Sequence, residues 1–450
     1  MANVIKLRKG LNINLKGKAA AQVSAVSASD VYGLVPDAFY GMKPKVVVKE
    51  GDDVKAGDAL FVNKLHPEMK FVSPVSGKVS LVERGDRRKV LSVQVKASAE
   101  QQYVDFGKKV VEDLDGGKVK DALLESGLFS FFVQRPYAVV ANPDDAPKAI
   151  YVSSFCDMPL AADFEGVVLS GQEKDFQTGI TALSKIAKVH VGVKPGSKLT
   201  QLKDAEVTVF DGKCPAGNVG VQINNTNPIN KGEVVWTVGA EEVIFIGRLF
   251  NNGIVDLKRV IAVAGSEVKN PEYKSVLVGA KISDIVSGKL SESVDKKVRI
   301  IDGNPLTGMK TSQDSFLMAH TTEVTVIPEG DDADELFGWI SPRLNEFSVS
   351  RSYFTWLQPK NKEYVLDARV KGGHRHMIFS GEYDSVFPMD IYPEQLVKAI
   401  IAGDIDRMEA LGIYEVAPED FAVAEFVDSS KVELQRIVRE GLDMLRKENE

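Results

Sequence analysis

Residue types suited to metal binding or redox chemistry are sparse in this chain and far apart. Its two cysteines, Cys156 and Cys214, stand outside any CxxC spacing. The chain's own thiols therefore cannot ligate an iron–sulfur cluster or a sulfur-type structural zinc, and they suit buried core positions in a reducing compartment. Of the five histidines, His66, His190, His320, His374 and His376, only the last two form a local pair. The HxH within GGHRHM can set two imidazoles on one side of a strand. No third ligand stands nearby, so a surface or phosphate-like contact fits it better than zinc. Asp331, Asp332, Asp334 and Glu335 form an acidic run without the DxDxDG spacing of a calcium loop and read as a solvated loop. There is no serine-hydrolase elbow and no GxxxxGK[ST]. GNVGV at 217–221 supplies a glycine pair without the GxGxxG spacing, set between strand and helix, that a pyrophosphate cradle requires.

Lysine chemistry is confined to Lys64 and Lys70. Between Gly41 and Val79, short β-branched runs alternate with turns at Gly51-Asp52, Gly57-Asp58 and Pro74–Gly77. Such close turn spacing makes small antiparallel strands that close into a flattened barrel. Through GDDVKAGDAL and SPVSG the segment resembles the barrel-sandwich hybrid of biotinyl and lipoyl domains, which display a modified lysine at a hairpin tip. Lys70, in EMKF, is too close to Pro74 to reach a tip and belongs to the strand before that turn. Lys64, beside Leu65, His66 and Pro67, lacks the acidic and small neighbours of a lipoyl site. The barrel is read as a scaffold with both lysines unmodified.

The elements that must position these residues are set by length and pattern. A chain of 450 residues holds about three domains, and 44% hydrophobic with 26% charged residues is an ordinary soluble composition. A net charge of -7 argues against a nucleic-acid binder, and no run of 18 apolar residues can cross a bilayer. MANVIKLRKGLNI has neither the apolar core nor the cleavage site of a secretory signal, which implies a cytoplasmic protein.

The fold class expected is multidomain α+β and α/β. Residues 1–100 form an N-terminal region with the barrel-sandwich hybrid, including a basic hairpin tip at Arg84, Arg87, Arg88 and Lys89. Residues 101–256 open on a linker and become a Rossmann-like α/β domain. There VKDALLESGLFSFF is a helical stripe broken at Gly127, AIYVSSF, VHVGV, EVTVFDG and EVIFIGRLF are strands, and DFQTGITALSKIA is a helix. Residues 257–330 suit a small β-grasp module. Residues 331–450 are mainly helical, with an aromatic-rich stretch from Phe337 to Trp356 that includes Arg343 and Arg351. A helix follows over PEQLVKAIIAGDIDRMEALGI, and a last one starts at a Ser430–Glu433 capping box.

Taken with MKPKVVVKEGD, FVSPVSGKV, ESGLFSFFVQRPY, DGKCPAG, ELFGW, FSVSRS and PMDIYP, this order of domains resembles the A-subunit family of the bacterial sodium-pumping NADH:quinone oxidoreductase. The tail IIDGNPLTGMKT likewise resembles the soluble-ligand-binding β-grasp (SLBB) module. More distantly, the chain is similar to the flavoprotein subunit of respiratory complex I and the C subunit of the Rnf complex. It departs from those two in having no glycine-rich flavin loop and no cysteine cluster in its helical C-terminal region. The resemblance implies a peripheral subunit on the cytoplasmic face of the bacterial inner membrane, soluble when isolated. It implies docking on membrane subunits, especially the quinone-associated B subunit, in a complex that couples NADH oxidation and quinone reduction to sodium export. NADH, flavins, iron centres and quinone would be handled through the other subunits, leaving this chain cofactor-free and inactive alone. A purely structural scaffold and an Rnf-type electron-transfer subunit are the alternatives.

No residue is expected to be catalytic or to bind metal. The contact surface expected for quinone or a partner is LFSFFVQRPY, specifically Phe131, Phe132, Arg135 and Tyr137. Pro136 ends the helical run there, and this many rings are not expected to share one core.

Overall fold

The computed structural model describes residues 3–290, 297–331, 345–349, 355–359 and 361–449. Two strands, β1 (Asn3–Lys6) and β2 (Ala20–Ala25), lead the chain and serve sheets other than those of the barrel. The barrel follows as β3 (Val31–Leu34), β4 (Pro44–Val46), β5 (Asp53–Val54), β6 (Ala59–Asn63), β7 (Lys70–Val72), β8 (Gly77–Arg84) and β9 (Val90–Ala97). They form two antiparallel sheets, ordered β3-β9-β8-β5 and β4-β6-β7. Its turns are built alike. Gly51 and Gly57 take φ of 92° and 98°, and the carboxylates of Asp52 and Asp58 accept the amides of Lys49 and Lys55 at 2.7 and 2.6 Å.

The α/β part comprises α1 (Gly116–Glu125), β10 (Val133–Arg135), β11 (Val139–Val140), β12 (Ile150–Ser153), α2 (Glu173–Ile186), β13 (Val189–Val193), β14 (Glu206–Asp211), α3 (Val219–Thr226), β15 (Val235–Thr237) and α4 (Ala240–Asn252). Asp115 caps α1 by accepting from the Lys118 amide at 2.9 Å, and Gly127, at φ 78°, breaks the stripe as expected. The helical run does not last to Pro136, because a 3-10 turn over Leu128–Phe131 leads into the strand β10. The sheet order is β1-β14-β13-β12-β15-β10-β11. The first five run parallel and β10 opposes β15. From β12 the chain builds to one side through β13 and β14 and then crosses to the other with β15, so the crevice between the carboxyl ends of β12 and β15 is the topological switch point.

One expectation fails here: EVIFIGRLF is not a strand but the body of α4. The helix is buried from Ala240 to Phe250, so it shows no polar face. A short apolar run of that kind has no period that separates strand from helix. The strand of this region is the preceding VWT of β15. GNVGV also stands elsewhere than expected, because it connects β14 to α3, a strand-to-helix position.

Next come β16 (Lys258–Ala264), β17 (Glu272–Leu277), α5 (Ile282–Val286), β18 (Val298–Asp302), β19 (Met309–Thr311) and β20 (Glu323–Pro328), in a sheet ordered β19-β18-β20-β16-β17-β2. Division of the chain at 100, 256 and 330 remains a proposal. Sheet membership groups most elements that way, while β1 and β2 cross over to complete the edges of the two later sheets.

The C-terminal region holds α6 (Glu382–Val386), α7 (Pro393–Ala402), α8 (Ile405–Ala410), α9 (Ala422–Val427) and α10 (Leu434–Asn449). The single helix expected from Pro393 onward is two. Gly403 turns left-handed at φ 69°, and Asp404 caps α8 through the Arg407 amide at 3.1 Å. The Ser430–Glu433 box does not form either, because α10 starts later and its Gln435 amide is taken by the Glu425 carboxylate at 2.8 Å. Of the aromatic-rich stretch and the acidic run, Phe337, Arg343, Arg351, Asp332, Asp334 and Glu335 lie outside the described residues.

Helices α2 and α4 touch backbone to backbone. A Cβ at Gly179 would stand 2.1 Å from the Val243 carbonyl oxygen, and one at Gly247 would stand 1.8 Å from that of Asp175. Neither oxygen can retreat without opening a helix. Gly247→Ala is therefore expected to lower unfolding stability by about 1–3 kcal/mol, as overpacking does. Chemical denaturation monitored by tryptophan fluorescence checks this, and an unchanged midpoint would mean that the helices are not locked at this contact.

Candidate functional site

A cleft of about 310 Å³ opens at the switch point. Its floor is Ser153 and Ser154 at the end of β12 and Thr237 to Gly239 at the end of β15. The first turns of α3 and α4 face it, and His320, Thr322 and Glu419 close it from the β-grasp and helical regions. The volume is that of a small-ligand site. Its polar groups, however, are largely occupied by the protein. The Ser153 hydroxyl shares its one proton between the carbonyls of Phe155 and Gly217 and accepts from Gln222 at 2.8 Å. Ser154 donates to Gly192, and Thr237 to Val133.

Both helix N-termini facing this crevice carry an internal anion. A Cβ at Gly239, the residue before α4, would fall 1.9 Å from Oε2 of Glu242. One at Gly220, in the first turn of α3, would fall 2.3 Å from Oδ2 of Asp420. A nucleotide pyrophosphate seeks these positions, where unpaired amides and the helix dipole favour negative charge. Here the places are taken, and a phosphate would meet two carboxylates. The residues present do not fit a dinucleotide or flavin phosphate.

The carboxylates are held by two buried arginines. Arg259 on β16 donates to Glu241 at 2.6 and 2.8 Å and to Glu242 at 3.2 Å, all three side chains being buried. Burial raises the Glu241 carboxyl against the pull of Arg259, with Glu242 adding to the rise. For Glu242 burial also acts upward, but Arg259 and His320 outweigh it and hold the group below the usual carboxylate range. Arg135, at the end of β10, donates to Asp420 at 3.0 Å and to Glu419 at 2.7 Å. Asp420 further accepts from the Ala417 amide and from Asn218, so it joins the α/β sheet to the last helices.

This reverses the placement expected for the Phe-rich segment. Phe131 and Phe132 are 4% and 0% exposed and Arg135 is 1% exposed, so none of them forms an outer surface. Phe129 and Phe132 stack at 5.0 Å and both meet Trp236 edge-on, while Phe131 packs against Phe39, Phe245 and His320. The core absorbs all three rings because the chain leaves α1 through a short 3-10 turn, Leu128–Phe131, that redirects each one. Half-buried Tyr137 packs against the helical cluster, and its carbonyl accepts from Arg439 at 2.7 Å. Phe131 lies behind His320, the ring that lines the cleft.

The remaining candidates are dispersed. Lys64 is exposed in a turn, and Lys70 begins β7 and donates to the Glu125 carbonyl at the end of α1. His66 approaches Glu68 and Asp144, His190 stacks on Tyr151 at 4.7 Å, and His374 contacts the Lys431 carbonyl. Among the described residues no three His, Cys, Asp or Glu groups could hold a metal ion. Cys214 is buried with its Sγ 3.6 Å from Met158 Sδ, whereas Cys156 opens into the cleft. No sequence signal marked Asp420, Glu242 or Arg259, since each gains its meaning from a partner distant in the chain or from burial.

Three domain families match. The NqrA N-terminal barrel-sandwich hybrid domain covers residues 5–98, the NqrA second alpha/beta domain 114–255, and the NQRA C-terminal domain 260–313. The A subunit of the Na(+)-translocating NADH-quinone reductase of Neisseria meningitidis serogroup B is 35% identical, over 99% of this chain and 100% of that protein. The chain belongs to the NqrA family. The proteins of the same name from Yersinia pestis and Actinobacillus succinogenes are 34% and 33% identical, each over 99% of this chain and 100% of the relative. A solved chain of an NAD+-reducing [NiFe]-hydrogenase overlays with a TM-score of 0.35 and 11% identity, covering 77% of this chain and 67% of that one. As an NqrA, the chain is one component of the sodium-translocating NADH-quinone reductase complex, and the other subunits are its partners. Among the described residues no helix is long and apolar enough to cross a membrane.

Two outcomes follow for the NqrA interior. Arg135→Ala leaves Asp420 charged in the core without its cation, so unfolding stability should fall by about 3–5 kcal/mol. Unfolding that matches the parent protein would instead return Arg135 to a surface role. Asp157, beside Gly217, has both carboxylate oxygens buried and outside full hydrogen-bonding geometry. Burial outweighs the nearby amides of Gly217 and Ala216 and raises its pKa from 3.8 to about 6. A raised folded pKa means that the protonated group stabilises fully below the unfolded value, and that this contribution is lost as pH rises through 6. Asp157→Asn should thus match the parent near pH 4 and exceed it by roughly 1–3 kcal/mol above pH 6. Thermal melts across that range test it, and a constant difference would dissociate the residue from the titration.

Proposed function

We propose that this NqrA chain is the cofactor-free peripheral subunit of its complex, docked on the membrane subunits at the cytoplasmic face, with the B subunit as its principal neighbour. In that reading the complex couples NADH oxidation and the reduction of ubiquinone or menaquinone to sodium export, and flavins and iron centres act in other subunits. The supporting observation is the occupation of both helix N-termini by Glu242 and Asp420, which puts negative charge where a nucleotide's phosphates would bind. An uncharged ring is not opposed in the same way. A quinone headgroup entering the cleft would meet His320, with Phe131 directly behind it, and this is the route by which the Phe-rich segment would contribute to a quinone site. A pure scaffold is the second reading, favoured by the internal hydrogen bonds that engage Ser153, Ser154 and Thr237.

Protein purified from its native host is expected to show the bare polypeptide mass, no visible flavin absorbance and no NADH oxidation. This would extend to Lys64 and Lys70, both unmodified. Stoichiometric flavin, or a biotinyl or lipoyl mass, would overturn the proposal. To separate the two readings, His320→Ala is assayed in the assembled complex. A raised apparent KM for quinone with normal assembly supports the quinone contribution, and unchanged kinetics leave the scaffold.

A further inference from the structure

The exposed apolar side chains of the described residues are not evenly spread. Of twenty large ones, seven fall between Val349 and Phe379, in a part of the chain with no described strand. Its last portion, Gly372–Ser380, is a strap on the surface of the helical region. The strap is fixed at both ends. The Arg375 amide donates to the Ser430 carbonyl at 2.9 Å and His374 contacts that of Lys431 at 2.9 Å. At the other end the amides of Ser380 and Gly381 both donate to Oε1 of Glu394 at 3.2 and 2.7 Å. Between these anchors Ile378 is 59% exposed and Phe379 58% exposed, and the Lys398 ammonium lies 4.4 Å from the Phe379 ring centre.

Charge changes sign here. The chain as a whole carries -7, yet from Ala368 to Gly381 it has Arg369, Lys371, Arg375 and two histidines and no acidic residue. Lys371 and Arg369 are paired to Asp367, whereas the Arg375 guanidinium has no ion pair among the described residues. Aromatic and branched apolar groups beside cations, on a backbone anchored at both ends, match the headgroup boundary of a bilayer. There the rings enter the acyl region and the cations stay with the phosphates.

We infer that the strap Gly372–Ser380, with Lys398, seats this protein on an anionic lipid surface through Ile378, Phe379 and Arg375. The inference rests on the peripheral membrane placement proposed above and names the surface that would carry it. The full chain is sedimented with phosphatidylcholine vesicles with and without about one-third phosphatidylglycerol. Binding is expected only to the anionic vesicles and should weaken with salt. The pair Ile378→Ser and Phe379→Ser should reduce partitioning at least about tenfold, and Arg375→Gln with Lys398→Gln should remove the preference for anionic lipid. Melting temperatures should stay within a degree or two of the parent, because these side chains are solvent-facing. Absence of binding by the parent protein, or variants that bind as it does, overturns the inference. Variants that fail to assemble into the complex while the parent ignores lipid would also overturn it, assigning the strap to a protein neighbour and leaving the peripheral placement intact.

Discussion

Arg259 holds the centre of this molecule. It is a buried guanidinium shared by two buried glutamates, and the glutamates stand at the start of α4, the helix surrounded by protein on all sides. Three charges removed from water are tolerable only if each hydrogen bond is made, and losing one partner of such a group typically costs several kcal/mol. The geometry therefore fixes β16 against α4, and with it the β-grasp sheet against the parallel sheet. Phe245, one turn further along α4, lies beneath the same guanidinium and meets Phe131, which continues into the barrel through Phe39 and Phe71. Stabilising electrostatics and aromatic packing thus meet on a single helix.

The same arrangement decides what the crevice can accept. A switch-point cleft with two helix N-termini would ordinarily welcome an anion. Filling those positions from within sets carboxylates there and binds separate parts of the chain together, because Asp420 arrives from the C-terminal region. Fold and ligand preference are therefore separable: the sheet order of a nucleotide-binding architecture is retained while the charge distribution at its mouth is reversed.

Much of this was legible in the residues. The paired Gly-Asp turns announce the barrel because left-handed glycines and aspartate-capped turns are local chemistry. The strand AIYVSSF and the helix DFQTGITALSKIA carry the periods expected of their surroundings. What could not be read has a common cause in burial from every side. EVIFIGRLF has lost the polar face that would reveal a helix, and Phe131, Phe132 and Arg135 look like an exposed cluster until their partners, distant in sequence, are known. Glu242 and Asp420 are ordinary acids in the sequence, and only the amides they face make them a barrier. The family, by contrast, was evident from the order of its domains, since order survives where no single motif is diagnostic.

The strands β1 and β2 have a consequence for how the chain is made. Each lies at an outer edge, one beside β14 and the other beside β17, so both leave the ribosome and must stay unpaired until partners about 200 and about 250 residues later have been synthesised. Once in place they pair the backbone groups of β14 and β17 and become the outermost strands themselves. A fragment starting after Ala25 would be born with both seams open and without the buried Ile13 and Leu15, so intermolecular strand addition would be added to a loss of core packing.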